Sequence, residues 1–243
     1  MPVSKKIVRA TSSSAQPLKR AAFVEAQAVD NWSPDLLKSR AYELILLDII
    51  LGVLPPNARL DEHGMADRYQ IGIAGIRDAL NRLALEGMVQ RRPRSGTVVA
   101  PLDIEEFHQS FSIRSLLEPE GAALAARHAT EAEVDRIHRA LDDTERAIPA
   151  RDFPALLMMD QHFHKAVAVA SHNLALARII VSLHQKTARY WYHSMVQRPL
   201  QERVDDVAQH RTVAAAIADR DPGRARAAMQ AVLGGAPPSM SLR

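Results

Sequence analysis

Two short strand-forming segments, Met88 to Arg92 and Thr97 to Ala100, interrupt a chain otherwise patterned for helix. Pro93-Arg94-Ser95-Gly96 between them is turn chemistry, so the pair reads as a β-hairpin carrying Arg91, Arg92 and Arg94 on its strands and tip. Three helices are expected before it. Ser33-Pro34 is a helix start, and Leu36, Leu37, Ala41, Leu44, Ile45, Ile49 and Ile50 then recur at helical spacing until Gly52 and Pro55-Pro56. A short helix fits Glu62 to Tyr69. A third fits Gly72 to Glu86, with Ile73, Ile76, Leu80 and Leu83 as its apolar stripe and Gly87 as its stop. Three helices and a basic hairpin are the parts of a winged helix-turn-helix.

Beyond Pro101 the sequence is rich in Ala and Leu and reads as an all-α bundle. Helices are expected near 103–117, 118–128, 131–147, 152–172, 174–197, 200–219 and 222–233, broken at Pro119, Pro149, Asn173, Pro199 and Pro222. The expected organisation is a flexible arm over 1–30, a winged domain over 31–101, a helical effector-binding and dimerisation domain over 102–235, and a tail over 236–243. The fold class is mainly α with one small hairpin.

Composition narrows the chemistry. With no cysteine, disulfides and thiolate metal sites are excluded, and a metal would have to be held by His and carboxylate. No apolar run approaches the ~18 residues a membrane span needs, and no secretory signal is legible, so a cytoplasmic protein is expected. The net charge of +3 divides unevenly: residues 1–100 hold 14 Lys/Arg against 10 Asp/Glu, and the remainder 17 against 18. The positive excess lies wholly in the first 100 residues, as suits a polyanion binder joined to a sensing or assembly domain.

Opposite the apolar stripe of the third helix lie Arg77 and Asn81, four residues apart, with Arg82 at the edge. Arg can pair with guanine and Asn with adenine, and either can hold phosphate. Two helices of the bundle carry polar groups on apolar faces. Asp160 and His164 fall within the stripe of Phe153, Leu156, Leu157, Phe163, Val167 and Ala170, and His210 falls within that of Val204, Val207, Ala214 and Ile217. A buried carboxylate needs a partner, so these groups either pair with one another or share a metal.

The segments Gly52 to Leu60, Ile76-Arg-Asp-Ala-Leu80, Leu83-Ala-Leu-Glu-Gly87 and Arg94-Ser-Gly96 resemble the winged-helix domain of GntR-family bacterial transcription regulators. That resemblance implies a homodimer on double-stranded operator DNA, with Arg77 as the recognition-helix Arg and Gly96 as the wing-tip Gly. The chain departs from the family at Gly72-Ile73-Ala74-Gly75, where a Ser-Arg-Thr-Pro segment is usual. Ile113-Arg-Ser-Leu-Leu-Glu118 and Asp160-Gln-His-Phe-His164 resemble the FCD ligand-binding domain of the FadR-type branch. This second likeness implies a divalent metal, Zn, Ni or Mn, on Asp160, His164 and His210, a small carboxylate effector upon it, and Arg114 as an effector clamp. Pairing of Arg114 with Glu118 is its alternative role. Val232 stands where the fourth ligand, a His, is expected; His184 and His193 are candidate substitutes of undetermined helical phase. The leading expectation is a repressor responsive to an organic acid, with a metal-dependent hydrolase and a DNA-binding protein with an unresponsive bundle as the alternatives.

Overall fold

The computed structural model describes residues 36–195 and 199–234; the arm, the Ser33-Pro34 helix start and the C-terminal tail lie outside the described residues. The winged region runs α1 (Leu36–Ile50), β1 (Arg59–Leu60), α2 (Glu62–Tyr69), α3 (Ile73–Leu85), β2 (Val89–Arg92) and β3 (Gly96–Val99). Its three strands form an antiparallel sheet in the order β1-β3-β2, with Arg91 opposite Thr97 and Arg92 opposite Gly96. β1 has no counterpart in the sequence reading. Two residues cannot express a period of two, and only pairing of Arg59 with Val98 and Leu60 with Thr97 makes them a strand.

Helix α2 begins at Asp61, whose carboxylate accepts from the Gly64 amide, whereas α3 begins at Gly72 with no side-chain cap. Ile76, Ala79, Leu80 and Leu83 bury the inner face of α3 against α1 and the sheet; Ile73 is only half-buried. The left-handed backbone at Gly87 and Gly96, φ +76° and +74°, turns the chain from α3 into the hairpin and closes the hairpin tip. Arg94 holds φ +64° at that tip.

The helical region runs α4 (Ile104–His128), α5 (Glu131–Arg139), α6 (Thr144–Ala147), α7 (Phe153–Ala170), α8 (Leu174–Met195), α9 (Leu200–Ala218) and α10 (Pro222–Gly234). Three expectations are corrected here. Pro119 does not break the chain but lies inside the 25-residue α4. A proline in a helix interior costs about 3 kcal/mol, and burial of Ala122, Ala123, Ala125 and Ala126 just beyond it offsets that cost. The expected helix 131–147 is two helices, because the Leu141 amide turns back to the His138 carbonyl and tightens the chain before Asp142-Asp143. Val204 is also corrected: it is 41% exposed, and Arg203 takes the buried position on the face shared by Val207, His210, Ala214 and Ile217.

Phe163, Ile137, Leu156, Ile217 and Met229 centre the bundle core. The winged core is built on Ile45, Ile76, Leu83, Met88 and Val99, and it is completed by Leu157 of α7 and Ala188 of α8. Adjacent residues Leu156 and Leu157 therefore serve different cores, so the winged region is packed directly on the two helices that carry Asp160 and His184. No helix among the described residues is long and apolar enough to cross a membrane.

Candidate functional site: a buried histidine cluster beneath a basic winged face

Asp160, His164, His184 and His210 are all buried, and α7, α8 and α9 deliver them to one point in the bundle. Three donor atoms form a nearly equilateral triangle. His164 Nε2 and His210 Nε2 are 3.3 Å apart, and they lie 3.5 and 3.6 Å from Asp160 Oδ1. Donors about 2.1 Å from one tetrahedral ion stand roughly 3.4 Å from each other, so the spacing is that of an ion's ligand shell.

The outer contacts of the imidazoles fix where their lone pairs point. His164 Nδ1 lies 2.5 Å from Glu118 Oε2, and His210 Nδ1 donates to the Asp206 carbonyl at 2.7 Å. An ionised carboxylate and a carbonyl only accept, so both Nδ1 atoms carry hydrogen and both Nε2 atoms turn inward, as acceptors whenever the rings are neutral. In neutral rings these lone pairs face one another and the Asp160 carboxylate, an arrangement that calls for a cation or a proton between them. Outer hydrogen bonds of this kind orient metal-ligating histidines.

Charge is distributed accordingly. Burial alone would raise the carboxyl of Asp160, but the rings of His184, His164 and His210 hold it well below the usual carboxylate range. Glu118 is likewise opposed by burial and is held ionised by Arg114 and His164. Burial disfavours the charged form of His164, yet Glu118 and Asp160 outweigh it and raise the imidazole to about 9. Burial and the Arg114 charge push His184 down to about 4, so that ring is neutral at neutral pH.

Arg114 takes the alternative role considered for it: its Nε donates to Glu118 Oε1 at 2.5 Å, and its Nη1 donates to Thr187 Oγ1 at 2.7 Å. Glu118 thus bridges Arg114 and His164. Val232 is half-buried against the bundle core and brings no donor. His184 Nε2 lies 3.1 Å from Asp160 Oδ2 but makes no aligned hydrogen bond, and its ring centroid is 4.7 Å from that of His164. Its phase was legible after all, since Ala177, Ile180, His184 and Ala188 recur at 3, 4 and 4 residues and are all buried. The side chain of His193 lies outside the described ones.

On the winged region, Arg77, Asn81, Arg91, Arg92 and Arg94 are exposed. Arg91 donates to Asn81, tying β2 to α3. Arg92 reaches Asn57 at 3.2 Å and Gln90 at 3.3 Å. Arg77 is held by Glu62 of α2 through Nη2, 2.7 Å from Oε2. Arg82 is turned elsewhere, 3.7 Å over the Tyr42 ring and 3.1 Å from Glu86.

One helix connects the two regions. On α8, His184 faces the cluster and Thr187 receives Arg114, while Gln185 lies 3.2 Å from the Tyr42 hydroxyl. Further along, Lys186 pairs with Glu106 at 2.9 Å and Arg189 donates to the Ala100 carbonyl at 2.8 Å.

Residues 37–99 match the family model described as bacterial regulatory proteins, gntR family, and residues 109–235 match that of the FCD domain. The chain is 28% identical over 208 residues to the HTH-type transcriptional regulator LutR of Bacillus subtilis, a match covering 75% of this chain and 91% of LutR. It is also 28% identical over 200 residues to the HTH-type transcriptional repressor GlaR of Escherichia coli, covering 78% and 89%. The match to the B. subtilis regulator YdhC, 26% identical, covers 54% of this chain and 59% of that protein. Among solved structures, E. coli McbR/YncC superposes with a TM-score of 0.73 at 19% identity, covering 82% of this chain and 93% of the other. A GntR regulator from Rhodococcus sp. RHA1 gives 0.65 at 18%, covering 81% and 93%. These structural likenesses speak to the fold.

Proposed function

Since the chain belongs to the GntR family of bacterial transcription regulators, with an FCD domain as its C-terminal half, we propose that it is a homodimeric repressor of operator DNA, controlled by occupancy of the Asp160 cluster. Arg77 and Asn81 enter the major groove, and Arg91, Arg92 and Arg94 meet phosphates or the minor groove, with Gly96 allowing close approach of the wing tip. The pairing of Arg82 with Glu86 and Tyr42 favours a role in fixing α3 over one in reading bases.

Asp160, His164 and His210 would hold a divalent ion of the Zn, Ni or Mn type, to which it brings a Lewis-acidic anchor for a small carboxylate. Arg114 places a fixed positive charge beside the same cluster, bound to Glu118. The observation that carries the proposal is the double role of α8. A rigid helix lining the cluster at His184 and Thr187 and gripping the winged region at Gln185 and Arg189 lets occupancy bias one arrangement of the DNA-reading heads over another.

Selection of bound DNA from a random duplex pool tests this, run with and without a divalent ion and a panel of small carboxylates. A two-fold symmetric motif should be enriched, and its recovery should change when an ion and an acid are both present. Absence of an enriched motif would overturn the DNA reading; a motif indifferent to every addition would favour the unresponsive bundle.

A further inference from the structure

The Asp160 carboxylate is used on both sides. Its Oδ1 closes the triangle with His164 and His210, while its Oδ2 faces His184 Nε2 at 3.1 Å without hydrogen-bond alignment. A ring nitrogen so deeply buried, with its nearest acceptor out of line, is under-satisfied unless something else completes it. The groups around it limit what that could be. Arg114 is committed to Glu118 and Thr187, Thr187 donates to backbone carbonyls, and His164 already spends its Nδ1 on Glu118. The position from which a fourth histidine is expected holds Val232, which cannot ligate.

We propose that His184 supplies the fourth protein donor to the ion, replacing the one absent at position 232, so that the ligand set is Asp160, His164, His184 and His210. The inference rests on the metal reading above and goes further, because it moves one ligand from α10 to α8. His184 Nε2 stands on the Oδ2 side of Asp160, outside the triangle, where a tilt of its ring would turn it toward an ion held there. The consequence is chemical. A donor on α8 joins the metal directly to the helix that holds Tyr42 through Gln185 and the Ala100 carbonyl through Arg189. Binding of the ion alone, before any effector, then adjusts the helix on which the winged region is seated.

The test uses the full-length protein loaded with zinc. X-ray absorption at the zinc edge counts imidazoles by their outer-shell scattering: three supports the proposal and two overturns it. Chelator competition compares wild type, His184→Gln and His184→Gln/Val232→His. The single variant should keep the metal-free melting temperature and lose about 100-fold in zinc affinity, and the added His at 232 should recover most of that loss. Unchanged zinc affinity in His184→Gln overturns the assignment of His184 and leaves the three-donor site standing. Failure of wild type to bind zinc, nickel or manganese stoichiometrically overturns both. Should His184→Gln not fold, the imidazole count on wild type decides alone.

Discussion

The hydroxyl of Tyr42 lies 3.2 Å from Oε1 of Gln185, the residue that follows His184 on α8, and this contact crosses from the winged core to the bundle. The same hydroxyl donates its single proton to Glu86 Oε2 at 2.6 Å. Burial, with Glu86 beside it, raises the phenol so that it stays protonated across the physiological range. Tyr42→Phe keeps the ring under Arg82 and removes only the oxygen. It should lower stability by roughly 1.5 to 3 kcal/mol, as for loss of a hydrogen bond to a charged group, measured by urea denaturation. If α8 carries the signal, the ratio of operator affinities with and without bound ion should also move toward one. A variant that loses stability but keeps the full ratio would take Tyr42 out of the coupling.

Arg77 and Glu62 make a prediction of opposite signs. Their ion pair is solvent-exposed, with 58% of the Arg77 side chain accessible, and screening leaves such a pair little weight in stability. Arg77→Ala should therefore leave the melting temperature nearly unchanged while weakening operator binding by about tenfold or more and flattening its salt dependence. Glu62→Gln releases the same guanidinium and removes a negative charge from the binding face. It should tighten DNA binding by a few-fold in a gel-shift titration. Weaker binding in Glu62→Gln would mean that the carboxylate aims Arg77 and does not compete with DNA for it.

Glu43, half-buried on α1, gives the pH dependence. Burial raises its carboxyl to about 7, and the charges of Lys165 and Arg82 pull it back only in part. The unfolded chain titrates near 4.5, so between the two values the folded state binds more protons than the unfolded one. The contribution of Glu43 is thus fully present below about pH 4.5 and is lost as pH rises through about 7. Glu43→Gln should match wild type near pH 4.5 and exceed it at pH 8 by about 1 kcal/mol, a value kept small because the group is partly solvated. Chemical denaturation at those two pH values checks it; equal stabilities at pH 8 would show that Lys165 and Arg82 compensate the burial in full.

What could be read from the sequence was whatever shows as local period or local chemistry. The turn at Pro93 to Gly96 and the inward placing of Asp160, His164 and His210 are of that kind. Pro119 misled because helix-breaking is a local cost, while the packing that offsets it comes from distant segments. β1 was invisible for the same reason, existing only through its pairing with β3. The seating of the winged region on the bundle depends on Leu157, which reads as one more apolar position of α7 beside Leu156. Sequence periodicity tells that both are buried and is silent on which core each enters.

Glu118 offers the sharpest test of how the cluster is organised. It joins Arg114 and His164, accepting from the first through Oε1 and from the second through Oε2, each at 2.5 Å. Both contacts depend on its negative charge more than on its shape. Glu118→Gln preserves the shape and can still accept through its carbonyl oxygen, but the amide nitrogen meets either a guanidinium or an imidazole N–H and repels it. Turned one way it frees Arg114; turned the other it drives the His164 ring away from the Nδ1–H tautomer that leaves Nε2 open. The second outcome is expected, because the guanidinium is charged at any pH and so holds the remaining oxygen more strongly than an imidazole, which gives up its charge when Nε2 ligates an ion. Metal stoichiometry should survive and affinity should fall by about 10- to 100-fold, the usual effect of removing an outer partner of a ligating histidine, read by competition with a calibrated chelator. Unaltered affinity would show that Asp160 and the phase of α7 suffice to orient His164, and that Glu118 serves Arg114 alone.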